Sequence, residues 1–415
     1  MINVPVGTKD ILPSERPAWD YLCNIIHETF KAYGFGEIRT PVFEATELFS
    51  RGVGDTTDVV EKQMYTFEDK GGRSLTLRPE GTAGVVRSYI ENGMASLPQP
   101  VKIFYDMPIY RYEKKQKGRY REFTQCGVEL FGSSSATADV EVIAMVNTIF
   151  ARLGISDIQL VINSIGCSHC RPAYNAMLKD YFKSNEDKIC ETCKGRLDRN
   201  PLRILDCKNP DCHSLADNCP KITDHLCPEC AEHFEQVKAG LDALGIKYVV
   251  DPFVVRGLDY YSKTVFEFIS TGIGSQGAVC AGGRYDGLVE ILGGPHTPAV
   301  GFAMGIERML LHMESCGLLD KICAPKPKLY IAAMGQQAVL EAERIAYALR
   351  TKGVYVETDI MSRSFKAQFK YADKIGAEYT LALGDNEIAT GKANLKRMAD
   401  GQAEEIDLST IVDKF

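Results

Sequence analysis

The sequence predicts an α+β fold, and three observations predict it. Two alternating strands, Val101 to Tyr112 and Arg121 to Phe131, follow one another across a short basic loop, which favours an antiparallel hairpin. A glycine-rich run leads through a small-residue strand, starting at Ala299, into a helix that carries Arg308. After Ala324-Pro-Lys-Pro327, which reads as a stiff linker, strands and helices alternate as in a small α/β domain. The 415-residue length is enough for about two to three domains.

Taken in order, Pro17 to Tyr33 has helical spacing and stops at Gly34. Ile38 to Glu44 is a strand interrupted by Pro41, which suits an edge or interface. Ser74 to Arg78 alternates up to Pro79, and a helix follows from Thr82 to Tyr89. Past the linker come a strand at Leu329 to Ala333, a helix at Ala338 to Lys352 and a strand at Val354 to Glu357. A helix at Ser364 to Ile375 and a strand at Thr380 to Leu383 complete that pattern.

Hydrophobic residues at 45% and charged residues at 25% exclude a disordered or fibrous chain. No stretch approaches the roughly 18 apolar residues of a membrane span. The opening MINVPVGTKDILPSE lacks a basic region before an apolar core, so no signal peptide and a cytoplasmic location are expected. A net charge of −7 argues against bulk attraction to nucleic acid but leaves room for local basic patches.

Four segments carry chemistry. Arg111 to Arg121, RYEKKQKGRYR, holds six basic residues and one glutamate; it suits a polyphosphate, or is simply a solvated hairpin tip. In the strand that follows, Phe123, Gln125, Gly127, Glu129 and Phe131 share one face, and Thr124, Cys126, Val128 and Leu130 form an apolar face opposite. An amide and a carboxylate among rings read as a pocket floor, with an exposed sheet face as the alternative. Glu80 stands at a strand-to-helix corner, either to bind a ligand ammonium or to satisfy the helix start. Residues 270–305 hold ten of the 36 glycines and lead to Arg308 in a first helical turn, where backbone N–H groups and a guanidinium converge on an anion.

Of the 14 cysteines, nine fall between Cys167 and Cys230. Eight form close pairs, Cys167/Cys170, Cys190/Cys193, Cys207/Cys212 and Cys227/Cys230, with Cys219 left over. Such spacing predicts one or two structural Cys₄ zinc sites, against buried thiols as the alternative; His169, His213 and His225 are substitute ligands. Which pairs share a metal is not readable from spacing, since either neighbouring pair closes a site.

In their order these segments resemble the histidyl-tRNA synthetases, class II aminoacyl-tRNA synthetases, over essentially the whole chain. Ile38 to Arg51 resembles motif 1, the hairpin around Arg111 motif 2, and Gly301 to Arg308 motif 3. Arg256-Gly-Leu-Asp-Tyr-Tyr261 and Gly283-Arg-Tyr-Asp-Gly287 are similar to the two histidine-specific signatures. The resemblance implies an antiparallel catalytic sheet split between residues 1–165 and 246–322. It also implies an inserted Cys-rich domain at 166–245, an anticodon-binding domain at 328–415, and a homodimer.

The implied reaction joins L-histidine to ATP as histidyl-adenylate, releases pyrophosphate, and transfers histidine to the 3′ end of its tRNA. Glu80, Thr82 and Gln125 are implied at the substrate amino group, and Glu129 and Tyr261 at the two imidazole nitrogens, with Gly81 and Tyr260 as further substrate-binding residues. Arg111, Arg119, Tyr120 and Arg308 are implied around ATP and its Mg²⁺. Arg256 is implied beside the reacting carboxylate and α-phosphate. Two departures stand out: Glu113-Lys-Lys-Gln116 where Arg-Pro is commoner after the glutamate, and Thr124 where histidine is frequent. Lys366, Lys370 and Lys374 recur on one helix face as a phosphate stripe, or as a solvated face. One rival reading is an inactive synthetase-like regulatory subunit of histidine biosynthesis, disfavoured because Arg111, Arg256, Arg308 and the C-terminal domain are present. A zinc-containing nucleic-acid-binding module is disfavoured by the net charge.

Overall fold

The computed structural model describes residues 2–54, 57–114, 116, 118–207, 209–270 and 277–415, the Lys321 side chain apart. Its contacts divide the chain into residues 1–322 and 323–415, a division that falls beside the Ala324-Pro-Lys-Pro327 linker. Among the described residues no helix is long and apolar enough to cross a membrane.

The first unit is built on an eight-stranded sheet. Its order is Gly36–Glu37, Val101–Tyr110, Glu122–Phe131, Ala299–Gly305, Ala278–Arg284, Ser262–Ser270, Ile158–Ser164 and Tyr248–Val250. The six inner strands pair antiparallel, and each outermost strand is parallel to its neighbour. One face is sealed by the helices Arg16–Ala32, Ala136–Leu153, Pro228–Ala243 and Ile306–Ser315. Leu22, Ile26 and Phe30, four apart, form a fully buried stripe of the first helix. Cys126, Val128 and Leu130 meet this layer from the sheet, as their alternation requires. Ser135 caps the second helix by accepting from the Thr137 N–H, and Gly154 ends it in the left-handed region.

The interrupted strand departs from expectation. Residues 38–42 are not a strand; Phe43–Ala45 instead pairs with Ser74–Leu77 in a separate three-stranded sheet. The buried Arg78 guanidinium accounts for this, because it donates to the carbonyls of Thr40 at 2.9 Å, Pro41 at 3.1 Å and Pro108 at 2.7 Å. Those acceptors are satisfied by a side chain, and Pro41 has no N–H to give a ladder.

The second unit carries a five-stranded sheet. Val356–Thr358, Leu329–Ala333 and Tyr379–Leu383 are parallel, as the alternating pattern predicts. Lys392–Arg397 and Ala403–Asp407 extend it antiparallel, a hairpin that the sequence reading passes over. Only Ala393 and Leu395 of the first of these strands are buried, too little apolar signal to stand out among charges.

Arg284, at the end of its strand, ties the main sheet to the helix beneath. It is fully buried and pairs with the equally buried Asp139, while donating to the carbonyls of Ser133 at 2.7 Å and Ser135 at 3.0 Å. Burial opposes the Asp139 charge, but Arg284 and His233 hold its carboxylate below the ordinary range. Truncation as Arg284→Ala strands that charge and is expected to cost about 3–5 kcal/mol in denaturant unfolding. A loss under about 1 kcal/mol contradicts this role.

Candidate active site

The strand Ser74–Leu77 ends before Pro79, and the helix Thr82–Glu91 begins three residues later, so Glu80 is fixed at the corner. Its carboxylate accepts from the N–H groups of Thr82 at 2.8 Å and Ala83 at 2.7 Å. Burial nevertheless raises its pKa above the ordinary value against those bonds. The helix-start reading of Glu80 is therefore realised, and the same residue also lines the cleft.

The cleft floor is the strand Glu122–Phe131. Its period of two sends Phe123, Gln125 and Glu129 into the cleft, as their shared face requires. Register then sets the crowding. Gly127 lies opposite Tyr105, and Gly301 opposite Glu129. A Cβ at Gly127 would lie 2.5 Å from the Tyr105 ring, and one at Gly81 2.6 Å from it. Tyr105 thus occupies a slot that two glycines leave open. A Cβ at Gly301 would lie 2.1 Å from the Glu129 carboxylate.

Glu129 is the most buried carboxyl of the cleft, with 1% of its surface exposed. Thr82 Oγ1 donates to it at 2.7 Å, and the Tyr285 hydroxyl donates to its other oxygen. Desolvation outweighs these bonds and pushes its pKa from 4.5 to about 8. Tyr260 and Tyr261 lie beside it with ring centroids 4.7 Å apart and planes tilted by 41°, and Tyr285 meets both edge-on.

Arginines occupy the other end. Arg111 donates from Nε to the Pro79 carbonyl at 2.6 Å and lies over the Phe123 ring. Arg308, in the first turn of Ile306–Ser315, donates to the Ala278 carbonyl at 2.8 Å. Arg119 pairs with Glu113 at 3.1 Å. Desolvation lowers the pKa of Arg111 and of Arg308, and Arg119 repels both. Arg256 pairs with Glu267. Among the described residues, Nε of Arg119 and Nε of Arg256 are buried donors without an acceptor. A crowd of like charges with spare donors is what a polyanion neutralises.

The structure brings twelve sequence-selected residues into this one cleft: Glu80, Gly81, Thr82, Arg111, Arg119, Tyr120, Gln125, Glu129, Arg256, Tyr260, Tyr261 and Arg308. Lys115 and Lys117 of the basic loop lie outside the described residues. The eight paired cysteines lie elsewhere, in two clusters. Sequence reasoning missed Tyr105, Glu113 and Tyr285 as cleft residues. Tyr285 sits between the glycines of the second signature, a position that marks it; Tyr105 is visible only once register sets it against Gly127. Lys366, Lys370 and Lys374 are exposed on the helix Phe365–Lys374.

A carboxyl whose pKa rises on folding takes up protons as the chain folds. Its contribution therefore weakens as pH climbs from the unfolded range near 4.5 toward about 8. Thermal unfolding midpoints of the wild type are expected to fall relative to those of Glu129→Gln between about pH 5 and 8. A constant gap across that window contradicts a protonated Glu129 in the folded chain.

Comparison with known proteins places this geometry in a family. The family model described as histidyl-tRNA synthetase matches residues 7–170 and 209–309, and that of the anticodon binding domain matches 328–415. A histidine–tRNA ligase of Acetivibrio thermocellus is 58% identical over 415 residues, covering all of this chain and 99% of the relative. One from Caldanaerobacter subterraneus subsp. tengcongensis is 51% identical, with 99% and 98% covered. The crystal structure of apo S. aureus histidyl-tRNA synthetase superposes with a TM-score of 0.86 at 42% identity, covering all of both chains. The chain belongs to the histidyl-tRNA synthetase family.

Proposed function

We propose that the chain is a histidine–tRNA ligase that activates L-histidine with ATP and transfers it to the 3′ end of its tRNA. The observation that carries this reading is the joining, in one cleft, of a buried carboxylate ringed by hydroxyls and a group of desolvated arginines. Glu129 and Tyr261 take the two imidazole nitrogens. A ring lacking either polar atom leaves a buried partner unpaired, which is the costly mismatch that gives selectivity. Glu80, Thr82 and Gln125, above Gly81, receive the α-ammonium, since a carboxylate that accepts two N–H bonds retains further lone pairs. Tyr260 walls the imidazole side.

Arg111 takes the α-phosphate and Arg308 the γ-phosphate, with Arg119 and Tyr120 closing from the basic loop. Mg²⁺ bound with ATP would neutralise phosphate charge, and Glu113, beside Arg119, is a carboxylate of the cleft that would hold it. The histidine carboxylate attacks the α-phosphorus, the bond to the bridging oxygen breaks, and pyrophosphate leaves. Arg256, with a free Nε, stabilises the charge that develops between carboxylate and phosphate. The tRNA ribose hydroxyl then attacks the acyl carbon and displaces AMP. The C-terminal unit binds the anticodon stem through Lys366, Lys370 and Lys374. The enzyme works as a cytoplasmic homodimer. Retention of all the cleft arginines and of the C-terminal unit tells against the regulatory-subunit reading.

ATP–pyrophosphate exchange that requires histidine tests the activity, and exchange at background with active-site-titrated protein contradicts it. Arg256→Ala is expected to cut exchange by about 10²–10³ while histidine affinity stays within about threefold. A parallel collapse of histidine affinity contradicts the assigned role. Lys366→Ala with Lys370→Ala is expected to leave exchange intact and flatten the salt slope of tRNA binding by about two. An unchanged slope means that this face makes no phosphate contact.

A further inference from the structure

Two clusters of sulfur stand apart from the cleft. The Sγ atoms of Cys167, Cys170, Cys227 and Cys230 lie within 4.8 Å of one another, and so do those of Cys190, Cys193, Cys207 and Cys212. No pair is a disulfide; every cysteine is free. The separations are specific. Cys167 and Cys170 are 3.7 Å apart, Cys167 and Cys227 4.0 Å, and Cys190 and Cys207 3.8 Å. Four metal–sulfur bonds of about 2.3 Å in a tetrahedron put their sulfurs about 3.8 Å apart. Uncoordinated thiols have no reason to converge in fours at that spacing.

We propose that residues 167–230 hold two zinc ions, each on four cysteine thiolates, with the ligand pairs nested. The first and fourth pairs form an outer site, and the second and third an inner one. Backbone N–H groups support the sulfurs as they do in thiolate sites. His169 donates to Cys167 at 3.3 Å, Cys227 to Cys170 at 3.1 Å, and Cys190 to Cys212 at 3.2 Å. Helix placement adds a second, independent support. Cys170 precedes the helix Arg171–Lys183, and Cys227 precedes Pro228–Ala243. The outer site therefore gathers two helix N-termini around a net negative tetrathiolate, the favourable end of each dipole.

Each site has a distinct job. The outer one ties the point where the chain leaves the sheet after Ser164 to the start of the helix Pro228–Ala243 that packs on it, next to the Gly166 carbonyl that accepts from Lys263 N–H at 2.8 Å. The inner one organises the short helices between residues 186 and 216, most of which fall in the stretch that the family match passes over between 170 and 209. Short irregular segments gain folding energy from such a metal. Among the described residues neither cluster includes His169, His213, His225 or Cys219, so the eight cysteines suffice. Zinc is favoured over the hard cations because all eight ligands are sulfur.

Metal analysis of the full-length protein, purified without chelators, is expected to give about two zinc per chain. Less than about one, or iron in its place, overturns the proposal. X-ray absorption at the zinc edge of the same wild-type protein is expected to show four sulfurs at about 2.3 Å, and nitrogen or oxygen ligands overturn it. Double variants test the nesting. Cys170→Ser with Cys230→Ser is expected to remove one zinc, and Cys170→Ser with Cys193→Ser to remove both. The reverse pattern overturns the nested pairing in favour of sequential pairs. If the variants do not fold, the cysteines protected in pairs on partial chelation of the wild type, mapped by alkylation, give the same decision.

Discussion

The site depends on one unfavourable burial, the Glu129 carboxyl held dry between Thr82 and Tyr285. A carboxylate in that position is costly unless its lone pairs are used, so everything around it has to supply donors or give room. Gly301 gives room on the adjacent strand, where any side chain would strike the carboxylate. Thr82 is presented by the helix start that Glu80 caps, so the capping residue indirectly orients the hydroxyl that meets Glu129. Tyr285 is carried by the segment that follows Arg284, whose buried pairing with Asp139 fixes the end of that strand.

The opposite end of the cleft has the complementary problem, too many positive charges with too little water. Arg111 and Arg308 are each anchored by a backbone carbonyl, which orients a guanidinium without cancelling its charge. Arg119 and Arg256 have carboxylate partners, Glu113 and Glu267. Two arginines are thus oriented by backbone carbonyls and two by carboxylates. Such an arrangement is preorganised for phosphate oxygens, because the cost of assembling it is met by the fold before substrate arrives. Antiparallel register is what allows both ends to share a cleft, since Gln125 and Glu129 lie on the strand directly paired with Ala299–Gly305, which leads into the helix of Arg308.

Much of this was legible in the sequence because it rests on local rules. Alternation placed Gln125 and Glu129 on one face and Cys126, Val128 and Leu130 on the other. A proline followed by a helix start marked Glu80, and glycine density marked the strands where backbone and side chains crowd. What was not legible depends on contacts between distant residues. The segment 38–42 looked like a strand because nothing near it reveals that Arg78 takes its carbonyls. Tyr105 reads as an ordinary core aromatic until Gly81 and Gly127 are set against it. The cysteine spacing announced metal-ligand pairs but not their partners, because the first pair meets the fourth across about sixty intervening residues. The resemblance of the signatures supplied residue roles that spacing alone left open.

The reading of imidazole by Glu129 is tested most directly by calorimetric titration of L-histidine into wild type and Glu129→Gln. The amide keeps the size of the side chain but puts a fixed NH₂ donor in place of a carboxyl oxygen and cannot give up a proton to the ligand's ring, so affinity is expected to weaken at least about tenfold with the fold intact. Affinity unchanged within about twofold would show that the ligand's ring does not meet this carboxyl.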